Sequence, residues 1–83
     1  ESHFNLANVY FIAGNIPLSI LHYKVVIQVA PDFKDVYFNL GLAYLEMEDF
    51  KSARMNLQHY KSLNPDKNLQ SLNLILESLA SIV

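Results

Sequence analysis

The chain repeats itself, and the repeat limits what it can fold into. Displaced by thirty-four residues, the sequence sets Phe4 on Phe38, Asn5 on Asn39 and Leu6 on Leu40. The same shift sets Tyr10 on Tyr44, Pro31 on Pro65 and Asp32 on Asp66. Related residues pair as well: Ala7 with Gly41, Asn15 with Asp49, Ile16 with Phe50, Ser19 with Ala53. A second displacement adds Asn39 on Asn73, Leu40 on Leu74, Leu42 on Leu76 and Leu45 on Leu79. A unit of this length cannot bury its apolar face alone, so neighbouring units must stack to make a core.

Within each unit the apolar spacing is helical. Leu6, Val9, Tyr10 and Ala13 recur at steps of three and four, as do Leu40, Ala43, Tyr44 and Met47. Gly14 follows the first helix at a position where a left-handed residue ends it. Asn15 and Asp49 are placed to cap the next helix, with Pro17 in its first turn. Pro31 and Pro65 close the second helix of each pair, and Asp32 and Asp66 are expected to open the following one. The pattern predicts helices over about 2–13, 17–29, 34–47, 50–62 and 67–82. No segment alternates with period two over a strand's length. An all-α fold of five antiparallel helices is expected, as a single domain with units at about 1–33 and 34–67 and a terminal helix at about 67–82.

Composition narrows the function. Hydrophobic residues make up 52% of the chain and charged residues 17%, which points to a packed core rather than disorder. The net charge is −2, and Lys24, Lys34, Lys51, Arg54, Lys61 and Lys67 are scattered, so no footprint for nucleic acid is present. There is no cysteine, which removes disulfides, thiolate catalysis and thiolate metal sites. No apolar run approaches the length of a membrane span. The sequence opens at Glu1 inside a predicted helix, so it is expected to be a segment of a longer protein, and its compartment is not legible.

These residues resemble the tetratricopeptide repeat family, whose pattern is W-x2-L-G-x2-Y, then A-x3-F, then P. The second unit carries Tyr37, Leu40, Gly41, Tyr44, Ala53, Leu57 and Pro65 at the matching places. The first carries His3, Leu6, Ala7, Tyr10, Ser19, Tyr23 and Pro31, and the third begins with Ser71, Leu74, Ile75 and Ser78. The resemblance implies an alpha-alpha superhelix whose first helices line a concave groove that binds a peptide or partner protein. Carried over, the groove is Phe4, Asn5, Asn8, Phe11 and Ile12 in the first unit and Phe38, Asn39, Leu42, Leu45 and Glu46 in the second. In the third it is Leu72, Asn73, Leu76 and Leu79. One variant of the family clamps a terminal carboxylate with lysine, asparagine and arginine. Asn8 and Asn39 match its amides, but Phe4, Leu69 and Asn73 stand where its cations would be, so carboxylate clamping is not expected.

Two readings stand for the recurrent Asn5, Asn39 and Asn73: amides that pair with an extended ligand's backbone, or polar residues on an exposed or inter-helix face. The stripe of Phe4, Phe11, Phe38, Leu42 and Leu45 exceeds what packing on Leu6–Tyr10 and Leu40–Tyr44 needs, which favours an interface over further packing. His3, His22 and His59 share no helical face or metal-ligand spacing and read as structural. Glu46, Glu48 and Asp49 are explained by capping and solvation. No nucleophile motif, phosphate loop or cofactor signature occurs, so no enzyme activity, metal or cofactor is expected. The last helix is apolar nearly all round. With Leu74, Ile75 and Ser78 turned to the second unit, Leu69, Leu72, Leu76 and Leu79 would need a cover. A two-fold homodimer sealed by these leucines is the second expectation, a self-assembly element rather than a peptide receptor. The continuation of a parent protein is the other expected cover, and the helix folding back into the chain's own groove, hiding the same leucines without a partner, is the competing outcome.

Overall fold

In the computed structural model, residues 2–65 and 68–82 are described. Among them the chain forms five helices and no strand: α1 Ser2–Ile12, α2 Ile16–Val29, α3 Lys34–Glu46, α4 Phe50–Ser62 and α5 Gln70–Ile82. The all-helical expectation holds and its boundaries fall close to those predicted. The start of α5 is the widest difference. Asp66 and Lys67 lie outside the described residues, and Asn68 and Leu69 precede the helix.

The turns form as their residues dictate. Asn15 accepts from the Leu18 amide at 3.5 Å and Asp49 from the Ser52 amide at 3.3 Å, satisfying donors that a helix start leaves orphaned. Asp32, by contrast, caps nothing. Phe33 takes the N-cap place of α3 without a side-chain bond, and Asp35 supplies the negative charge in the first turn. Gly14 has φ +86°, and thirty-four residues later Glu48 takes φ +59° in the equivalent turn. The backbone bonds Asn15 N–H to Tyr10 C=O and Asp49 N–H to Tyr44 C=O match across the two turns. A residue with a Cβ pays a steric penalty there that glycine escapes. Glu48→Gly is therefore expected to stabilise the fold by about 1 kcal/mol, read as a higher melting temperature.

Consecutive helices pack on one another, most extensively within the pairs α1–α2 and α3–α4. Ala7, Tyr23, Val26, Val36, Tyr37 and Leu40 form one buried cluster. Ala53, Leu57, Leu72 and Leu79 form a second, and Tyr44 and Tyr60 border both. Gly41 lets α3 approach α4, since a Cβ there would lie 2.7 Å from Leu57 Cγ. The Tyr37 hydroxyl donates to the Pro31 carbonyl, pinning the turn that enters α3.

Two packing expectations need correction. Leu6 is 39% exposed although its counterpart Leu40 is buried. Leu40 is covered by Tyr23 and Val26 of α2, and no described helix stands in that place before α1. In α5 the helical face is turned. Leu72 and Leu79 are buried at 4% and 3% exposure, Ile75 and Leu76 pack beside them, and Leu74 is 62% exposed, with Ser78 also exposed. The reason lies in Ser71 and Ser78, which stand where Tyr37 and Tyr44 do and would make the repeat-register face polar. The i, i+3, i+4, i+7 stripe Leu72–Ile75–Leu76–Leu79 buries more apolar surface against Ala53 and Leu57, and it wins. Of the leucines expected to seal a second copy, Leu72 and Leu79 are buried within the chain and Leu69 and Leu76 are partly buried, packed with Phe38 and Leu45. The expected exposure of Leu72 and Leu79 is therefore not found. None of the described helices is long and apolar enough to cross a membrane.

Candidate functional site

Where α1 crosses α3, Asn8, Phe11 and Ile12 face Asn39 and Leu42 across an open cleft of about 250 Å³, with Tyr23 of α2 at its base. Five of these residues belong to the groove expected from the sequence, and Tyr23 does not. The cleft is walled by Phe11, Ile12 and Leu42 and made polar at one end by an amide–phenol network. Asn8 Oδ1 accepts from the Tyr23 hydroxyl and from Asn39 Nδ2, the latter at 3.0 Å. Burial pushes the Tyr23 phenol above its usual pKa, with the neighbouring Ser19 hydroxyl and Asn39 amide partly opposing. A phenol so placed stays protonated and keeps donating.

With Asn8 Oδ1 occupied by two donors, Asn8 Nδ2 and Asn39 Oδ1 hold no hydrogen bond among the described residues. A donor and an acceptor are thus left side by side at the rim of an apolar cleft, with no charged side chain among the lining residues.

The other residues of the expected groove sit elsewhere. Phe4 is packing: its ring lies 4.8 Å from Phe33 and 6.0 Å from Tyr23, centroid to centroid. Phe38 packs on Tyr60 at 5.2 Å and Leu45 on the second core cluster. Phe38 instead borders a separate opening of about 310 Å³ with Tyr60, Asn68, Leu69 and Leu72. Asn5 and Glu46 are exposed and line neither opening. Asn73 is half-buried, and its Oδ1 has no hydrogen-bond partner among the described residues. The physical reason is that Asn8, which Asn39 pairs with, is replaced one period later by Leu42, which cannot accept. Among the described residues α5 also makes no close backbone approach to α3, while α1 does. Asn73 faces α4 instead, beside Arg54, Gln58 and Lys61. The three periodic asparagines therefore have three different environments.

Two features escaped the sequence reading. Tyr23 occupies the core-packing place of the unit's second helix, and nothing in its spacing announces that its hydroxyl reaches α1. His3 and His22, nineteen positions apart, meet with Nδ1 atoms 3.2 Å apart. Among the described residues no group of three or more metal-ligating side chains occurs.

A profile of the TPR repeat matches residues 7–48, spanning α1 to α3 and the whole of the cleft's lining. A second profile, of the tetratricopeptide repeat, matches residues 34–67, the unit built on α3 and α4. No curated protein matches the chain. With a helix pair recurring at thirty-four residues, a close approach at Gly41 and a profile covering half its length, the chain belongs to the tetratricopeptide repeat family.

Proposed function

We propose that this chain, whose family's repeats generally mediate protein–protein interaction, does so through the cleft between α1 and α3, which receives an extended segment of a partner polypeptide. The observation that carries the reading is the unfilled donor–acceptor pair of Asn8 and Asn39 beside the apolar wall of Phe11, Ile12 and Leu42. An extended peptide offers a carbonyl and an N–H to such a pair while an adjacent side chain enters the apolar space. With no charge in the lining, the preferred side chain is neutral and apolar, and an acidic one is disfavoured because its desolvation is unrepaid.

Fluorescence polarisation with terminally capped neutral peptides from a displayed library tests the reading. Asn39→Ala removes one amide and unties Asn8, and is expected to weaken binding by about 1–3 kcal/mol. Leu42→Ala should weaken it in the same direction by opening the wall. Affinity should change little with salt, because no ion pair contributes. Unchanged affinity in both variants, or steep salt dependence, would place the binding surface elsewhere.

A further inference from the structure

We propose that His3 and His22 form a chelating site for a divalent transition-metal cation of the zinc class, bridging α1 and α2. Their Nδ1 atoms stand 3.2 Å apart. Two imidazole nitrogens on one tetrahedral zinc, each at about 2.0–2.1 Å, are separated by roughly 3.3 Å, so the spacing already matches the bite of such an ion. The ring planes are close to parallel, inclined by 23°, with centroids 5.4 Å apart. Tyr10 lies against the His22 ring at 5.5 Å and 19°, which fixes the plane of that imidazole before any ion arrives. His3 is exposed and His22 half-buried, so an ion reaches both from solvent.

Without an ion, the short contact is a hydrogen bond in which one ring carries its proton on Nδ1 and the other accepts. The ion needs both Nδ1 lone pairs. The donating ring therefore moves its proton to Nε2, and both rings bind as neutral Nε2–H tautomers with no net change in protonation. Nitrogen donors select borderline ions such as Zn²⁺, Cu²⁺ or Ni²⁺ over Mg²⁺ and Ca²⁺, which require oxygen. The remaining coordination positions take water or a donor from an incoming group, giving an exchangeable site rather than a closed structural one. The ion cross-links α1 to α2 and binds the folded chain in preference to the unfolded one, so it raises stability by mass action.

The test is calorimetric titration of the 83-residue chain with ZnCl₂ in a non-chelating buffer, alongside thermal melts with Zn²⁺ or Mg²⁺. One zinc per chain is expected, with a higher melting temperature in Zn²⁺ and none of this in Mg²⁺. His3→Gln and His22→Gln should each abolish the binding heat and the melting shift. His59→Gln, which alters the histidine packed on Tyr37 at 4.3 Å, should retain both. His3→Gln changes an exposed side chain, so circular dichroism of that variant separates loss of a ligand from loss of the fold. In wild type, the Nδ1 resonances of His3 and His22 should shift together on zinc addition. Absence of binding heat, binding that survives His3→Gln in a folded protein, binding lost in His59→Gln, or one zinc per two chains would each overturn the proposal.

Discussion

Leu72→Glu is expected to release α5 from the body of the chain. Leu72 is 4% exposed, and it shares its cluster with Leu79, Ala53 and Leu57. The side chains packed around it include Phe38, Leu45, Leu69 and Leu76, all apolar. A carboxylate placed among them loses its hydration, a cost of several kcal/mol that the helix avoids by undocking. Undocking in turn forfeits the burial of Leu72 and Leu79, worth about 1.5–3 kcal/mol each. In a chain of this size such losses rival total stability, so a lower, broader thermal transition with rapid amide exchange along α5 is the predicted result. Leu74→Glu supplies the contrast. That residue is 62% exposed, and the same change should alter stability by no more than about 0.5 kcal/mol. A destabilising Leu74→Glu beside a silent Leu72→Glu would mean that α5 presents the other face.

Leu57→Ala is the second large effect. The side chain is fully buried at 0% exposure, lies under Gly41 and packs in the cluster that joins α4 to α5. Its neighbours are held from several helices at once, so the site cannot collapse to refill the space. A loss near the upper part of the usual range for such truncations, about 2–5 kcal/mol, is expected by chemical denaturation. Leu40→Ala should fall in the same range, whereas Leu6→Ala, at the equivalent place in the first unit, should cost clearly less because Leu6 is 39% exposed. Equal losses for Leu6→Ala and Leu40→Ala would contradict the packing described.

Periodicity determined the architecture. Tyr37, Leu40, Gly41, Ala53 and Leu57 repeat or complete a helix-pair pattern whose apolar steps only a helix can satisfy, and Gly14, Asn15 and Asp49 punctuate it by local backbone chemistry. Helix positions and turns were therefore readable from the chain, because each rests on neighbours within a few residues or on strict repetition, whereas the residues of the cleft's apolar wall were expected only from the family resemblance. What repetition could not determine was the surroundings of each copy. Leu6, Leu40 and Leu74 are equivalent in sequence, yet only Leu40 is buried, because among the described residues no helix packs over Leu6 and α5 turns Leu74 away from α4. Asn5, Asn39 and Asn73 are equivalent too, and among the described residues only Asn39 meets such an acceptor, Asn8, whose counterpart one period later is Leu42. The face that α5 buries was decided by competition between two stripes, where Ser71 and Ser78 made the periodic one the poorer. The Tyr23–Asn8 bond and the His3–His22 contact join residues on different helices. Their existence depends on how α1 and α2 cross, an angle set by side-chain packing over the whole pair rather than by any spacing along the chain.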